Sequence, residues 1–254
     1  MPASARRIPG SIAVVTGASR GIGAAVAFRL AEAGARVLLT SRNAGGCSEV
    51  ISRIQDAGGE ASGTVADLAD STSAARVMEE AVRRWGPPSI LVNNAGTLKP
   101  HFVHRISDAE LDQLMAVNFR GTFSFCMAAY EHMRHTGGSI VNISALSATR
   151  GQSGMGAYAA SKAAMLSMTR TMAREWGPLG IRVNAVVPGA VATEMIMPKE
   201  EEARQTFLAE MGSKVALGRI AYPDDLAGPV LFLAGPESAY VTGQSLFVDG
   251  GAFE

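Results

Sequence analysis

The chain is poor in cysteine. Of 254 residues only Cys47 and Cys126 are cysteines, in no metal-binding or redox spacing. That excludes a disulfide scaffold and fits a reducing compartment, so a cytoplasmic location is expected. Neither charge sign is in excess, since 23 basic residues balance 23 acidic ones. Without a basic face or charge run, neither nucleic acid nor an anionic membrane is an expected partner. No apolar run reaches the roughly 18 residues of a membrane span. The opening MPASARRIPG has two arginines but no apolar stretch, so it does not read as a secretory signal. The histidines form two pairs, His101/His104 and His132/His135, without accompanying carboxylates or cysteines in a ligand pattern. No metal is expected. Linkers and internal repeats are also missing, which argues for one domain over residues 1–254.

What the chain does have is apolar mass, 47% hydrophobic against 18% charged residues, enough for a large core. Short runs rich in valine and isoleucine alternate with longer stretches of helical period. Strands are expected at 11–17, 35–41, near 61–67, 89–96, 138–144, 181–188 and 244–250. Helices are expected at 21–34, from Ser48 onward, at 71–85, from Ser107 to about Arg134, at 156–176 and from Pro223. Ser107 and Glu110 have capping-box spacing. Pro223 followed by two aspartates suits a helix start. Continuously apolar strands joined by helices imply an α/β fold. The expected form is a Rossmann-like, doubly wound parallel sheet of about seven strands. Ligands should collect at the carboxyl ends of the strands.

TGASRGIG (16–23) sits between the first strand and the first helix. Gly17 permits a sharp turn, Gly21 lets backbone approach a pyrophosphate, and Gly23 lets helix pack on strand. Tyr158 and Lys162 are four residues apart on a helix, hence on one face. A nearby ammonium and the positive charge of a bound oxidised cofactor both favour the phenolate, so with cofactor bound Tyr158 is expected to titrate below its usual value of about 10.

These motifs, with Asp67-Leu68, NNAG (93–96), Asn118 in VNFRG, Pro188-Gly189 and VTGQSLFVDGG (241–251), are very specific together. The chain resembles the short-chain dehydrogenases/reductases over nearly its whole length, near the 3-oxoacyl-carrier-protein reductase type. The resemblance implies an oxidoreductase in which Tyr158 exchanges a proton with the substrate oxygen. Lys162 would hold the nicotinamide ribose, and Asn118 would continue a water relay from it. The cofactor loop would be Gly17, Ser19, Arg20, Gly21, Ile22 and Gly23. Asp67 and Leu68 would meet the adenine, and Asn94, Ala95 and Gly96 would line the cofactor. Pro188, Gly189, Val191 and Thr193 would stand at the nicotinamide end. The second strand ends on Ser41-Arg42 where an NAD enzyme usually has an acid. Arg42, helped by Arg20, suits a 2′-phosphate, so NADP(H) is the expected cofactor. The resemblance also implies a homotetramer, with the apolar tail up to Phe253 against a sister subunit. Residues 190–217 correspond to the family's variable substrate lid. Its Met195, Met197, Phe207, Leu208 and Met211, with Met155, suit a moderately apolar small molecule or serve as packing. His101, His104 and Arg105 follow the fourth strand and face substrate, solvent or an interface.

One family feature is displaced. A serine hydroxyl normally stands thirteen residues before the tyrosine, and here that position is Ala145. Ser144 lies one place early, and strand alternation should turn it away unless a bulge re-aims it. Three explanations stand. Ser144, re-aimed, or Ser147 replaces the donor; Ala145 is an introduced replacement that holds ligand without turnover; or the substrate carries its own polarising group. The expected function is NADPH-dependent reduction of a ketone on an acyl, polyketide-like or other secondary metabolite. The alternatives are an alcohol or dihydrodiol dehydrogenase, and an NADP(H)-binding protein with weakened catalysis.

Overall fold

The valine-rich runs lie buried on both faces, as strands between two helix layers must. The computed structural model describes residues 8–252; the arginines of the opening segment and Phe253 lie outside them. The strands are β1 (Ile12–Val15), β2 (Arg36–Ser41), β3 (Glu60–Val65), β4 (Ile90–Asn93), β5 (Gly138–Ile143), β6 (Ile181–Pro188) and β7 (Ser245–Val248). All are parallel, in the order β3-β2-β1-β4-β5-β6-β7. The order reverses between β1 and β4, and the carboxyl ends part there to leave a crevice. This is the doubly wound Rossmann-like sheet that the sequence pattern implies.

The helices are α1 (Gly21–Glu32), α2 (Ser48–Asp56), α3 (Ser73–Trp85), α4 (Asp108–Met115), α5 (Thr122–Met133), α6 (Gly156–Trp176), α7 (Glu201–Gly212) and α8 (Pro223–Ala234). Strand alternation divides the core in two. Val15 and Leu39 pack with Val26 and Leu30 of α1 and Leu226 and Val230 of α8. Val14, Leu38 and Leu91 face the other way, onto Met78 of α3, Phe125 of α5 and Trp176 of α6. Each large side chain buried this way contributes about 1.5–3 kcal/mol. Among the described residues no helix is long and apolar enough to cross a membrane.

Several strands are shorter than expected, β4 ending at Asn93 for example, and two boundary differences bear on the site. β3 stops at Val65, so Asp67 lies beyond the sheet edge rather than in the strand. The long helix starts where its capping box puts it. The Ser107 hydroxyl accepts from the Glu110 N–H at 3.3 Å, and the Glu110 carboxylate accepts from the Ser107 N–H at 3.1 Å. It does not run unbroken to Arg134, because Ala116–Gly121 form a π turn that separates α4 from α5. The turn contains Asn118, and such bulges gather at functional positions.

Candidate active site

A large cleft opens at the carboxyl ends of the strands. Its glycine loop is shaped by contacts that leave no room for side chains. Gly17 has φ +63°, and a Cβ there would lie 2.8 Å from the Ala95 Cα. A Cβ on Gly23 would lie 2.3 Å from the Gly17 carbonyl oxygen. The loop is tied to the end of β4. The Asn94 amide donates to the carbonyls of Thr16 and Gly17 at 3.0 and 2.9 Å. The Thr16 hydroxyl accepts from the N–H groups of Asn94 and Ala95 at 3.0 and 3.1 Å. Thr16 acts here as a positioning residue; its signal was its place at the strand end, directly before the turn glycine.

No side chain caps the N-terminus of α1, where Arg20 is extended with φ −165°. The first N–H groups of α1 therefore remain open toward the cleft, with the positive end of the helix dipole. A cradle of close backbone and free N–H groups fits a pyrophosphate. The residues present thus suit a dinucleotide. Ser19, Arg20, Gly21 and Ile22 line this part of the cleft, with Ser41, Arg42, Asp67 and Leu68 beside them. Arg42 is exposed and forms no ion pair with a described residue, leaving its guanidinium available to an anion. Arg20 also lines the cleft and pairs with Glu194, at the start of the lid, across it. Gly23 and Asn118 do not line the cleft but stand behind it.

Tyr158 and Lys162 project from the first turns of α6 into the same cleft as Asn94, Ala95 and Gly96, with Pro188, Gly189, Val191 and Thr193 on its β6 side. The Lys162 ammonium lies 6.0 Å from the Tyr158 ring centre. It donates to the Ile143 carbonyl at 2.8 Å. Only 4% of Lys162 is exposed, and burial pushes its pKa down to about 8. Burial pushes the Tyr158 phenol up to about 12. Burial acts against the lowering expected with cofactor bound. Desolvation of the phenolate outweighs the nearby cation.

Asn118 is fully buried. Its amide donates to the Thr97 carbonyl at 2.9 Å and the Ser161 hydroxyl at 3.1 Å, and its oxygen accepts from the Thr97 N–H at 2.8 Å. Ser161 in turn donates to the Tyr158 carbonyl at 2.7 Å. The side chain thus ties the segment after β4 to α6, and both its amide protons are engaged.

Ala145 is extended (φ −158°, ψ 151°), so β5 runs straight on and no bulge re-aims its neighbour. Ser144 reaches the cleft wall, but its hydroxyl donates to the Lys162 carbonyl at 3.2 Å. Thr149 is engaged too, donating to the Leu146 carbonyl at 2.9 Å. Ser147 lies on a short 3-10 turn, lines the cleft, and makes no side-chain hydrogen bond to a described residue. Toward the lid the lining includes Met155, Met195, Phe207 and Met211, while Met197 and Leu208 stand outside it. His101, His104 and Arg105 do not line the cleft; His101 Nε2 faces Glu110 at 3.3 Å.

Residues 17–252 match a family model described as enoyl-(acyl carrier protein) reductase. The chain is 40% identical to the short-chain reductase protein NovJ of Streptomyces niveus, over 95% of this chain and 93% of that one. It is 35% identical to the 3-oxoacyl-[acyl-carrier-protein] reductase FabG of Thermotoga maritima, over 96% and 98%. A gluconate 5-dehydrogenase from Burkholderia cenocepacia, solved with NADP and tartrate, superposes with a TM-score of 0.90 at 33% identity, over 97% of this chain and 96% of that one. With a doubly wound sheet, a glycine cradle and a Tyr-x-x-x-Lys pair in one cleft, the chain belongs to the short-chain dehydrogenase/reductase family of oxidoreductases.

Proposed function

We propose that the protein reduces a ketone to a secondary alcohol at the expense of NADPH. The observation that carries this reading is the buried pair Tyr158–Lys162 in the glycine-loop cleft. The phenol, held up near pKa 12, stays protonated at neutral pH and is ready to donate. That protonation state suits reduction better than oxidation, which needs the phenolate. NADPH, when bound, supplies the hydride to the carbonyl carbon. Tyr158 gives its proton to the carbonyl oxygen as negative charge develops there. Lys162, as an ammonium, stabilises the phenolate that remains. Asn118 fixes the start of α6 through Ser161 and so steadies Tyr158.

Arg42 is assigned to the 2′-phosphate, an anion that its free guanidinium suits and that an acid at this position would repel. Asp67 and Leu68 are assigned to the adenine side, and Val191 and Thr193 to the nicotinamide side. The NADP held by the Burkholderia neighbour supports the cofactor choice. The names of NovJ and FabG support reduction. Ser147 is assigned the polarising hydroxyl, because Ala145 has none and those of Ser144 and Thr149 are engaged. The four apolar lid-side residues suit a substrate with an apolar body.

Ala145 also favours a second reading, an NADP(H)-binding protein with weakened catalysis. NADPH consumption with a panel of ketones decides between them. The reductase reading expects turnover with NADPH exceeding that with NADH. Tight NADPH binding without turnover of any ketone would establish the second reading.

A further inference from the structure

Three segments meet at the lid end of the cleft. Val215, just after α7, forms an antiparallel bridge with Ala252 of the tail. The Ala216 and Leu217 N–H groups extend it to the carbonyls of Gly251 and Gly250, both at 3.1 Å. Arg150, from the loop before α6, donates one guanidinium nitrogen to the Ala252 carbonyl at 3.0 Å. Lys214 is the residue immediately before the bridge. Two cations from separate elements therefore stand at one end of the cleft and line it, Arg150 bonded to the bridge and Lys214, exposed, next to it in the chain. Neither forms an ion pair with a described residue. The acidic residues lining the cleft are Asp67 and Glu194. Asp67 accepts from the Ala69 N–H, and Glu194 is held by Arg20. Arg150 is half-buried and pinned by one contact, so the rest of its planar donor fork is already oriented.

We propose that Arg150 and Lys214 form an anion subsite, and that the natural substrate is an oxo acid. Its carboxylate would sit on these two cations, with an apolar link running past Met155 and Met211 to the carbonyl at Tyr158. The proposal rests on the reductase reading of the same cleft and adds its substrate class.

The test uses methyl ketones that end in a carboxylate, with two to five methylene groups between the two functions. Each is compared with its methyl ester and with the matching phosphate monoester. At the fitting length, kcat/KM for the acid should exceed that for the ester by roughly ten- to a hundredfold, the value of a charged hydrogen bond. Arg150→Met and Lys214→Met should each shrink that acid-to-ester ratio, and Arg150→Lys should retain part of it. Because the readout is a ratio within one variant, a general loss of folded protein does not move it. Equal efficiency for acid and ester at every length in the unaltered protein overturns the subsite. A preference for the phosphate monoester over the acid overturns the carboxylate assignment. Dissociation constants measured with NADP⁺ present give the same ratio without turnover. A protein that turns over none of these ketones therefore counts against the reductase reading, while the binding ratio still decides the subsite.

Discussion

The two ends of the cleft are made of different material. At the nucleotide end the shape comes from backbone: Gly17 against Ala95, Gly23 against the Gly17 carbonyl, and open N–H groups at the start of α1. At the reaction end it comes from buried side chains: Lys162 on the Ile143 carbonyl, Ser144 on the Lys162 carbonyl, and Asn118 between Thr97 and Ser161. A backbone cradle tolerates no added volume but is indifferent to protonation. A side-chain site accepts small changes of shape but depends on which groups hold protons and which hydroxyls are free.

That contrast can be broken in four ways. The largest of these four effects is expected at the reaction end, from the loss of the Ser147 hydroxyl. Ser147→Ala should lower kcat by about 10²–10³, the usual loss on removing an oxyanion donor. Adding Ala145→Ser to that variant should restore much of the rate. An unchanged kcat in Ser147→Ala would remove Ser147 from the mechanism. At the nucleotide end, Gly23→Ala forces a methyl group against the Gly17 carbonyl. It should destabilise the fold by about 1–3 kcal/mol, as overpacking does, and weaken NADPH binding as well. Calorimetric melting with and without NADPH measures both. Arg42→Ala should weaken NADPH about tenfold, the lower end for a charged hydrogen bond because Arg42 is exposed, and leave NADH nearly untouched. Equal losses for the two cofactors would contradict the phosphate assignment. The smallest effect is in the pH profile. Lys162 carries its proton below about 8 and loses it above. Tyr158 stays protonated over the same range. Reduction should therefore be flat on the acid side, halved near pH 8, and falling beyond it. A rate that rises through pH 8 would show that the ammonium is not needed.

The same contrast explains what the sequence makes legible. Glycines that a turn requires, apolar strands and an i, i+4 pair are local patterns, so the cradle, the sheet and the Tyr158–Lys162 face could be read directly. Strand alternation implies a Ser144 turned away, and in the fold its hydroxyl is taken up by the Lys162 carbonyl. That partner could not be read, because α6 and β5 meet only in the folded chain. The π turn at Asn118 escaped for the same reason: helical period alone continues through it. The ammonium four residues from the phenol is visible in the sequence, whereas the burial of both groups, which raises the phenol's pKa, is not. The ion pair of Arg20 with Glu194 is not legible either, because Glu194 lies in the distant lid segment.

The central claim is that Tyr158 donates the proton in a cleft whose nucleotide end does not depend on it. The direct measurement is Tyr158→Phe, with NADPH affinity and ketone turnover recorded on one preparation. Turnover should fall by roughly 10²–10⁴, the range for removing a general acid, with NADPH still bound at close to its original affinity. Undiminished turnover in that variant would contradict the mechanism.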